Sequence, residues 1–563
     1  MPARLLPILL AWLLLAGPVQ GELRLSLEMD DLSGPGWRAE GVSLVLDKQG
    51  LTGAAARLKA DAIPFVLENL SLDCPRPGFV PPGCPAGRLT LGAPAALRGA
   101  VALAFLPDGL RLALAGLNLA AGRLDLTAAF PTGGWRLDLE GRGLMLDPLL
   151  SLADPLLPVS LHRQSTAGIL DLSAHLEQAG DLQGNLRLTG RGVGLSTAQG
   201  LYAAQGVDLE WVGAIHGPKV AGRLHLTRGE LYLDPLPVTV PPGGLLLAGG
   251  LGFKDRTLTL EGLQFNHPQV LDGTVDGVIG LAGQGLSRLE LTLRGAVLPE
   301  AYRRYLQPFW LGTTLGELET TGALKGGFRW RDGRLSALEV ILAGVDLADG
   351  QGRFAVTDLE GGVGWGVDGD HYLSWSAARV YRLDLGAARF DLRSRGDDLL
   401  LESTARIPLL DGAVLLEQLE LEDLAATPGV ALAARLEPVS MKSLSQALDW
   451  PPLAGKLSGT IPGIHYRQGR VDLLGALVVQ IFGGDVVLTD LHLEDPFGVV
   501  PRLYADLTIR DLNLETLTGT FDFGRITGRL EGKVRDLVLT DWRPTAFDGV
   551  LGTPPGDDTP HRI

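Results

Sequence analysis

Along most of this chain apolar and polar residues alternate one by one. Leu110, Leu112 and Leu114 alternate with Arg111 and Ala113, Leu258 and Leu260 with Thr257, Thr259 and Glu261, and Leu289, Leu291 and Leu293 with Glu290, Thr292 and Arg294. The pattern recurs at Leu419 and Leu421 between Gln418, Glu420 and Glu422, and at Leu507 and Ile509 between Asp506, Thr508 and Arg510. A period of two marks a strand with one dry and one wet face, because successive side chains of an extended backbone point to opposite sides. Short turns such as Asp332-Gly333 and Gln468-Gly469 separate the runs and are of the kind that closes two-residue hairpins. The fold class that follows is mainly β: a long, curled, mostly antiparallel sheet of repeated strands, a β-groove, with a few short helices.

Composition narrows this further. Leucine fills about one position in five while aromatics make up only 6% of the 563 residues, so the chain is greasy but poor in large core anchors. Strand follows strand from about residue 23 to about residue 549 without compact blocks or long polar linkers, at spacings of roughly 8 to 15 residues, which implies ~35 to 40 strands. An aliphatic face of that extent cannot stay in water. The sheet must curl on itself, or cover that face with helices and ligand.

A few segments interrupt the strands. Pro299 opens a helix expected over Glu300 to Gln307 and ended by Pro308, and Ser440 to Leu448 forms another, stopped by Pro451 and Pro452. Each precedes a similar strand pair, Trp330-Arg331-Asp332-Gly333-Arg334-Leu335 in one case and Tyr466-Arg467-Gln468-Gly469-Arg470-Val471 in the other. The offset is about 136 residues, an internal repeat, and Asp511 to Leu517 before Gly524, Gly528 and Gly532 is a shorter echo.

The first twenty-one residues read as a targeting segment. One positive charge at Arg4 precedes the apolar run Leu5 to Ala16, and Val19 and Gly21 are small residues at the spacing a signal peptidase reads. An uncleaved inner-membrane anchor over residues 5–19 is the alternative, although a span needs roughly 20 apolar residues. Export places Cys74 and Cys84, the only cysteines, in an oxidising compartment, where they are expected to form a local disulfide across a loop holding Pro75, Pro77, Pro81 and Pro82. Closing so short a loop contributes roughly 2.5 to 3 kcal/mol on the chain-entropy estimate.

Several function classes have little support. A net charge of −16 argues against nucleic acid as a partner and against broad contact with an anionic bilayer, since both need basic patches. The nine histidines include no i,i+4 pair and have no cysteine partner, so no metal site is expected. The acidic residues sit at alternating strand positions and read as a solvated sheet face rather than as paired acid/base groups. Gly361-Gly-Val-Gly-Trp-Gly366 reads as a turn rather than a phosphate cradle, as it lacks a lysine and a following helix. No Gly-x-Ser-x-Gly elbow occurs. Neither an enzyme nor a cofactor is expected.

The segments Gly455-Lys-Leu-Ser-Gly459, Ile481-Phe-Gly-Gly484, Leu491-His-Leu-Glu-Asp-Pro496, Pro501-Arg-Leu-Tyr-Ala-Asp506, Phe523-Gly-Arg-Ile-Thr-Gly528 and Asp541-Trp-Arg-Pro544 closely resemble the C-terminal region of the YdbH-like, AsmA-type proteins of Gram-negative envelopes. The resemblance covers about residues 300 to 549, and residues 22 to 299 match only in general style. It implies a periplasmic, bridge-like lipid-transfer protein whose curled sheet carries phospholipid acyl chains between inner and outer membranes, with either those membranes or a small outer-membrane lipoprotein at the C-terminal end as its partner. The layout expected is a leader over 1–21, an N-terminal β-groove over 22–299, a YdbH-like β-groove over 300–549 and a flexible tail over 550–563. The expected groove lining is Leu258, Leu260, Leu289, Leu291, Leu293, Leu419, Leu421, Leu507 and Ile509. A structural spacer or assembly factor of the envelope is the alternative. A carbohydrate-acting β-solenoid would want stacked Trp and Tyr beside a carboxylate pair, against which the low aromatic content weighs.

Overall fold

The computed structural model describes residues 24–34, 37–60, 66–153, 163–197, 200–280, 285–422, 429–449, 455–496, 500–520 and 526–555. The leader over 1–21, with its alternative as an anchor over 5–19, lies outside these residues. Among the described residues the chain is mainly β, with 37 strands and a few short helices, and the pairings are antiparallel. It divides into two units, residues 1–268 with 278–285, and residues 269–277 with 286–563. The division falls before residue 299 because Val270, Ala296 and Leu298 pack in one cluster with Val345 of the second unit.

In the first unit the pairing runs strand to strand, so one cross-strand row can be followed from neighbour to neighbour. Leu112 faces Ala128, which faces Leu137, then Leu176, Gly184, Ile215, Val220, Leu251 and Leu260. Directly opposed residues share a face, so this row is the aliphatic side. The adjacent row, Thr127, Asp138, His175 and Asn185, is polar. Val207, Leu226, Val240 and Leu245 form the buried cluster of this unit. A helix, Leu146–Ala153, between the paired strands Trp135–Met145 and Arg163–Gln178 was not foreseen from sequence.

The second unit repeats one local plan three times. The strands Gly285–Leu298 and Leu318–Arg331 pair around a helical insertion, as do Gly429–Ser440 and Lys456–Arg467 around Met441–Leu448, and Arg502–Asn513 and Arg529–Thr540 around Leu514–Thr520. Connections in an antiparallel sheet alternate between its two edges. Counting broken strands such as Gly369–Trp375 and Ala377–Val380 as one run, all three insertions fall on the same edge of this unit. Each is followed, on the opposite edge, by a two-residue turn: Asp332-Gly333, Gln468-Gly469 and Asp541-Trp542, with both residues of each at positive φ. That is the hairpin geometry matching strand twist, and it explains glycine in two of the three.

Four expectations need correction. The first helix does not stop at Pro308. A π turn, Tyr302–Leu306, leads into α-helical Gln307–Trp310, with the Gln307 N–H donating to the Tyr302 carbonyl. Widening the turn before the proline removes the clash and the missing bond that would end a regular helix. The segment Gly361–Trp365 is not a turn but the end of the strand Phe354–Trp365, and only Gly366 turns, at φ +69°. Residues 550–552 are not tail, because the strand Arg543–Gly552 includes them, while 556–563 lie outside the described residues. Nor is the acidic face merely solvated. Asp125, Asp171, Asp208, Asp346 and Asp506 each accept, at 2.7–2.8 Å, the backbone N–H of a bulged residue on the next strand: Gly116, Gly143, Gly192, Asp358 and Asp536. All five donors have positive φ. A bulge frees a backbone donor and sharpens the local bend, so these carboxylates hold the places where the sheet curves.

Candidate functional site: the aliphatic face

The nine expected lining residues divide between the units, Leu258 and Leu260 in the first and the other seven in the second. In the first unit Leu260 ends the aliphatic row traced above, and Leu258 faces Phe253 on the same side. In the second, Leu291 faces Phe328, which faces Leu338 and then Trp365. Farther along, Leu399 faces Leu421, which faces Val430 and then Tyr466, and Leu488 faces Leu507. The registers bring Leu289, Leu291, Leu293, Leu419, Leu421, Leu507 and Ile509 onto one face of this unit. All nine are half-buried, so each keeps part of its surface open.

That face is not uniform. The first insertion closes it at the edge: Ala301 and Tyr302 are buried in one cluster with Val345, and Tyr305, Leu293, Leu324 and Leu342 pack against that cluster. Midway, Phe390, Leu392 and Leu399 are buried with Leu421 packed against their cluster, and the Trp375 and Phe390 rings lie 4.8 Å apart. Trp365 is buried there too and donates its indole N–H to the Asp397 carbonyl at 2.7 Å. The face therefore alternates between open stretches around Leu291 and Leu507 and a closed stretch around Phe390.

In each unit the opposite face is charged and cross-linked. Arg187 pairs with Glu210, Lys219 with Glu261, Arg294 with Asp272 and Arg467 with Glu422. These are exposed pairs, each worth up to about 1 kcal/mol. Curvature adds something the sequence did not suggest. In the first unit a concavity of about 1480 Å³ opens on this polar side, lined by Asp138, His175, Asn185, Arg187, Glu210 and Arg223 among others. None of the nine lining residues borders it, whereas Leu291 and Leu293 border a smaller one of about 430 Å³ together with Glu290, Lys325 and Arg329.

Cys74 and Cys84 are bonded to each other with Cα atoms 5.8 Å apart, and both are buried. No group of three or more histidine, cysteine or acidic side chains disposed to hold a metal occurs among the described residues, and no described helix is long and apolar enough to cross a membrane. No protein-family model and no curated protein matches the chain.

Proposed function

We propose that this protein is a periplasmic lipid carrier of the bridge-like kind, holding phospholipid acyl chains against its aliphatic face on their way between the inner and outer membranes of a Gram-negative envelope. One observation carries the reading. Leucine and isoleucine side chains share one face over successive strands and remain only half-buried, while the charged face is bound up in ion pairs. Open aliphatic surface gains about 25 cal/mol for each Å² covered by an acyl chain, and this contact gives no preference among headgroups. At the far end of the second unit, the strand Arg543–Gly552 is exposed throughout and pairs only with Arg529–Thr540 among the described residues. An added strand from a small envelope lipoprotein fits there.

The test is lipid capture by photo-crosslinkers in protein purified from the envelope. Crosslinkers at Leu291 and Leu507 should capture phospholipid, and one at Glu290 should not. Equal capture at Glu290, or none at either leucine, overturns the reading. The spacer alternative draws on the closed stretch around Phe390, Leu392 and Leu399, where the face is already packed. It predicts no captured lipid at any position.

A further inference from the structure

The aliphatic face of the second unit is interrupted, and one cross-strand row shows where. From the start of the unit, Leu291 and Phe328 are half-buried and Leu338 is 37% exposed, but Trp365, the next in the row, is only 2% exposed. From the far end, Leu539 faces Leu503, which faces Leu493, then Val471 and Tyr466, and all five are half-buried. Past Val430 and Leu421 the same row reaches Leu399 and then Ser394, which are 3% and 1% exposed. Surface open to a ligand therefore lies on both sides of a stretch that is closed.

The closure extends across the whole face. In the strand Ala388–Arg395 every residue on the aliphatic side, Ala388, Phe390, Leu392 and Ser394, is buried, while Arg389 and Arg395 on the other side are exposed. Among the described residues no other strand of eight or more has one face wholly buried. The closed stretch is also polar at its centre. Ser394 occupies an aliphatic position of its row, yet its hydroxyl donates to the Val367 carbonyl and lies 3.0 Å from Nε2 of His371, and His371 faces Leu392. An acyl chain crossing here would have to part packed side chains and separate these hydrogen-bonded groups, to which it offers no bond in return. On either side it only covers open aliphatic surface, which is favourable.

We infer that the second unit holds acyl chains at two separate sites, one around Leu291, Phe328 and Leu338 and one around Val471, Leu493 and Leu503, with the strand Ala388–Arg395 as the partition between them. This rests on the carrier reading and adds to it that a lipid held at one site does not slide along the face to the other.

The experiment uses the full chain without substitution. It is incubated with vesicles of phosphatidylethanolamine, a fraction of which carries a diazirine in one acyl chain, then separated from the vesicles and irradiated, and the adducts are located by mass spectrometry of its peptides. Adducts should fall on Leu318–Arg331 and Arg334–Asp349 and again on Gly484–Glu494 and Arg502–Asn513, and should be lost over Ala388–Arg395. Adducts on Ala388–Arg395 as frequent as on its two sides would overturn the partition and leave the carrier reading standing. Adducts on one side alone would overturn the pair of sites. No adduct anywhere on the aliphatic face would overturn the carrier reading itself, and the partition with it.

Discussion

The insertion at 300–317 and the helix Met441–Leu448 occupy the same slot in a repeated plan, yet they are built differently. Met441–Leu448 is an ordinary capped helix. Ser440 accepts the Ser443 N–H at 3.2 Å at its start, Asp449 ends it in the left-handed region at φ 60°, and its buried residues are Met441 and Ser445. The 300–317 insertion has no side-chain cap on its π turn, runs through a proline, and is held by the phenol of Tyr302 and the amide of Gln307 reaching across to the returning chain. One helix is stabilised along its own length. The other is stabilised by tertiary bonds from a few side chains, which frees its outer surface from any local sequence requirement.

The largest expected effect follows from that dependence. Tyr302→Ala removes a buried ring and the hydroxyl that links Leu315 and Leu318, at a cost of about 4 kcal/mol, while Met441→Ala in the capped helix costs about 3 kcal/mol. Urea unfolding measures both. If Tyr302→Ala is the milder of the two, the tertiary account of the first insertion fails.

The next effect concerns the turn beside the first insertion. Asp349 has a fully buried side chain and accepts from Arg353 Nε at 2.8 Å, Nη2 at 2.9 Å and its backbone N–H at 3.0 Å. Gly350 and Gln351 of the same turn bond to Glu317. The Arg353 guanidinium holds the Asp349 carboxyl down at about 2, against an ordinary value of 3.8. A depressed carboxyl stabilises the fold above its unfolded value and loses that contribution as pH falls toward its folded one, so the window is about pH 4 to 2. Asp349→Asn should lower stability by about 2 kcal/mol at pH 7. The gap between the wild type and this variant in thermal melts should narrow as pH falls from 4 to 2, and a gap independent of pH would exclude this role. The second repeat has a weaker counterpart. Ser440→Ala should cost about 1 kcal/mol, the usual value of an N-cap, and hydrogen exchange over 441–448 would show the loss as local fraying.

Much of this was legible in advance, for identifiable reasons. A period of two assigns side chains to faces whatever the sheet's curvature, so Leu291 and Glu290 could be separated from sequence. Paired left-handed residues with glycine marked the turns at 332–333 and 468–469, and Ser440 announced its helix. What escaped notice depends on contacts between strands. The bulge aspartates break the period of two only locally, and their partners lie on a neighbouring strand, so Asp171 looks like any other acid on a wet face. The polar concavity requires curvature, which those bulges set and alternation does not encode. Pro308 reads as a stop because a π turn has no sequence period of its own. Exposure at Phe309 and Leu311 was equally hidden: an apolar residue in a helical segment reads as core until the packing around Tyr302 shows which side faces inward.

The smallest expected effect is also the sharpest separation between the two insertions. Phe309 and Leu311 bury little in the folded chain, and the hydrogen bonds that shape the tip come from Tyr302, Gln307 and Thr313 rather than from them. Replacing both with serine removes exposed apolar surface without opening a cavity, so urea unfolding should move by no more than about 0.5 kcal/mol, the range of ordinary surface substitutions. Met441→Ala should behave in the opposite way, opening a cavity and lowering stability. The two variants together therefore separate apolar surface left exposed from apolar surface buried in folding. A large loss of stability in Phe309→Ser with Leu311→Ser would mean that the tip packs on the protein after all, and that its exposure is not what sets the first insertion apart from the second.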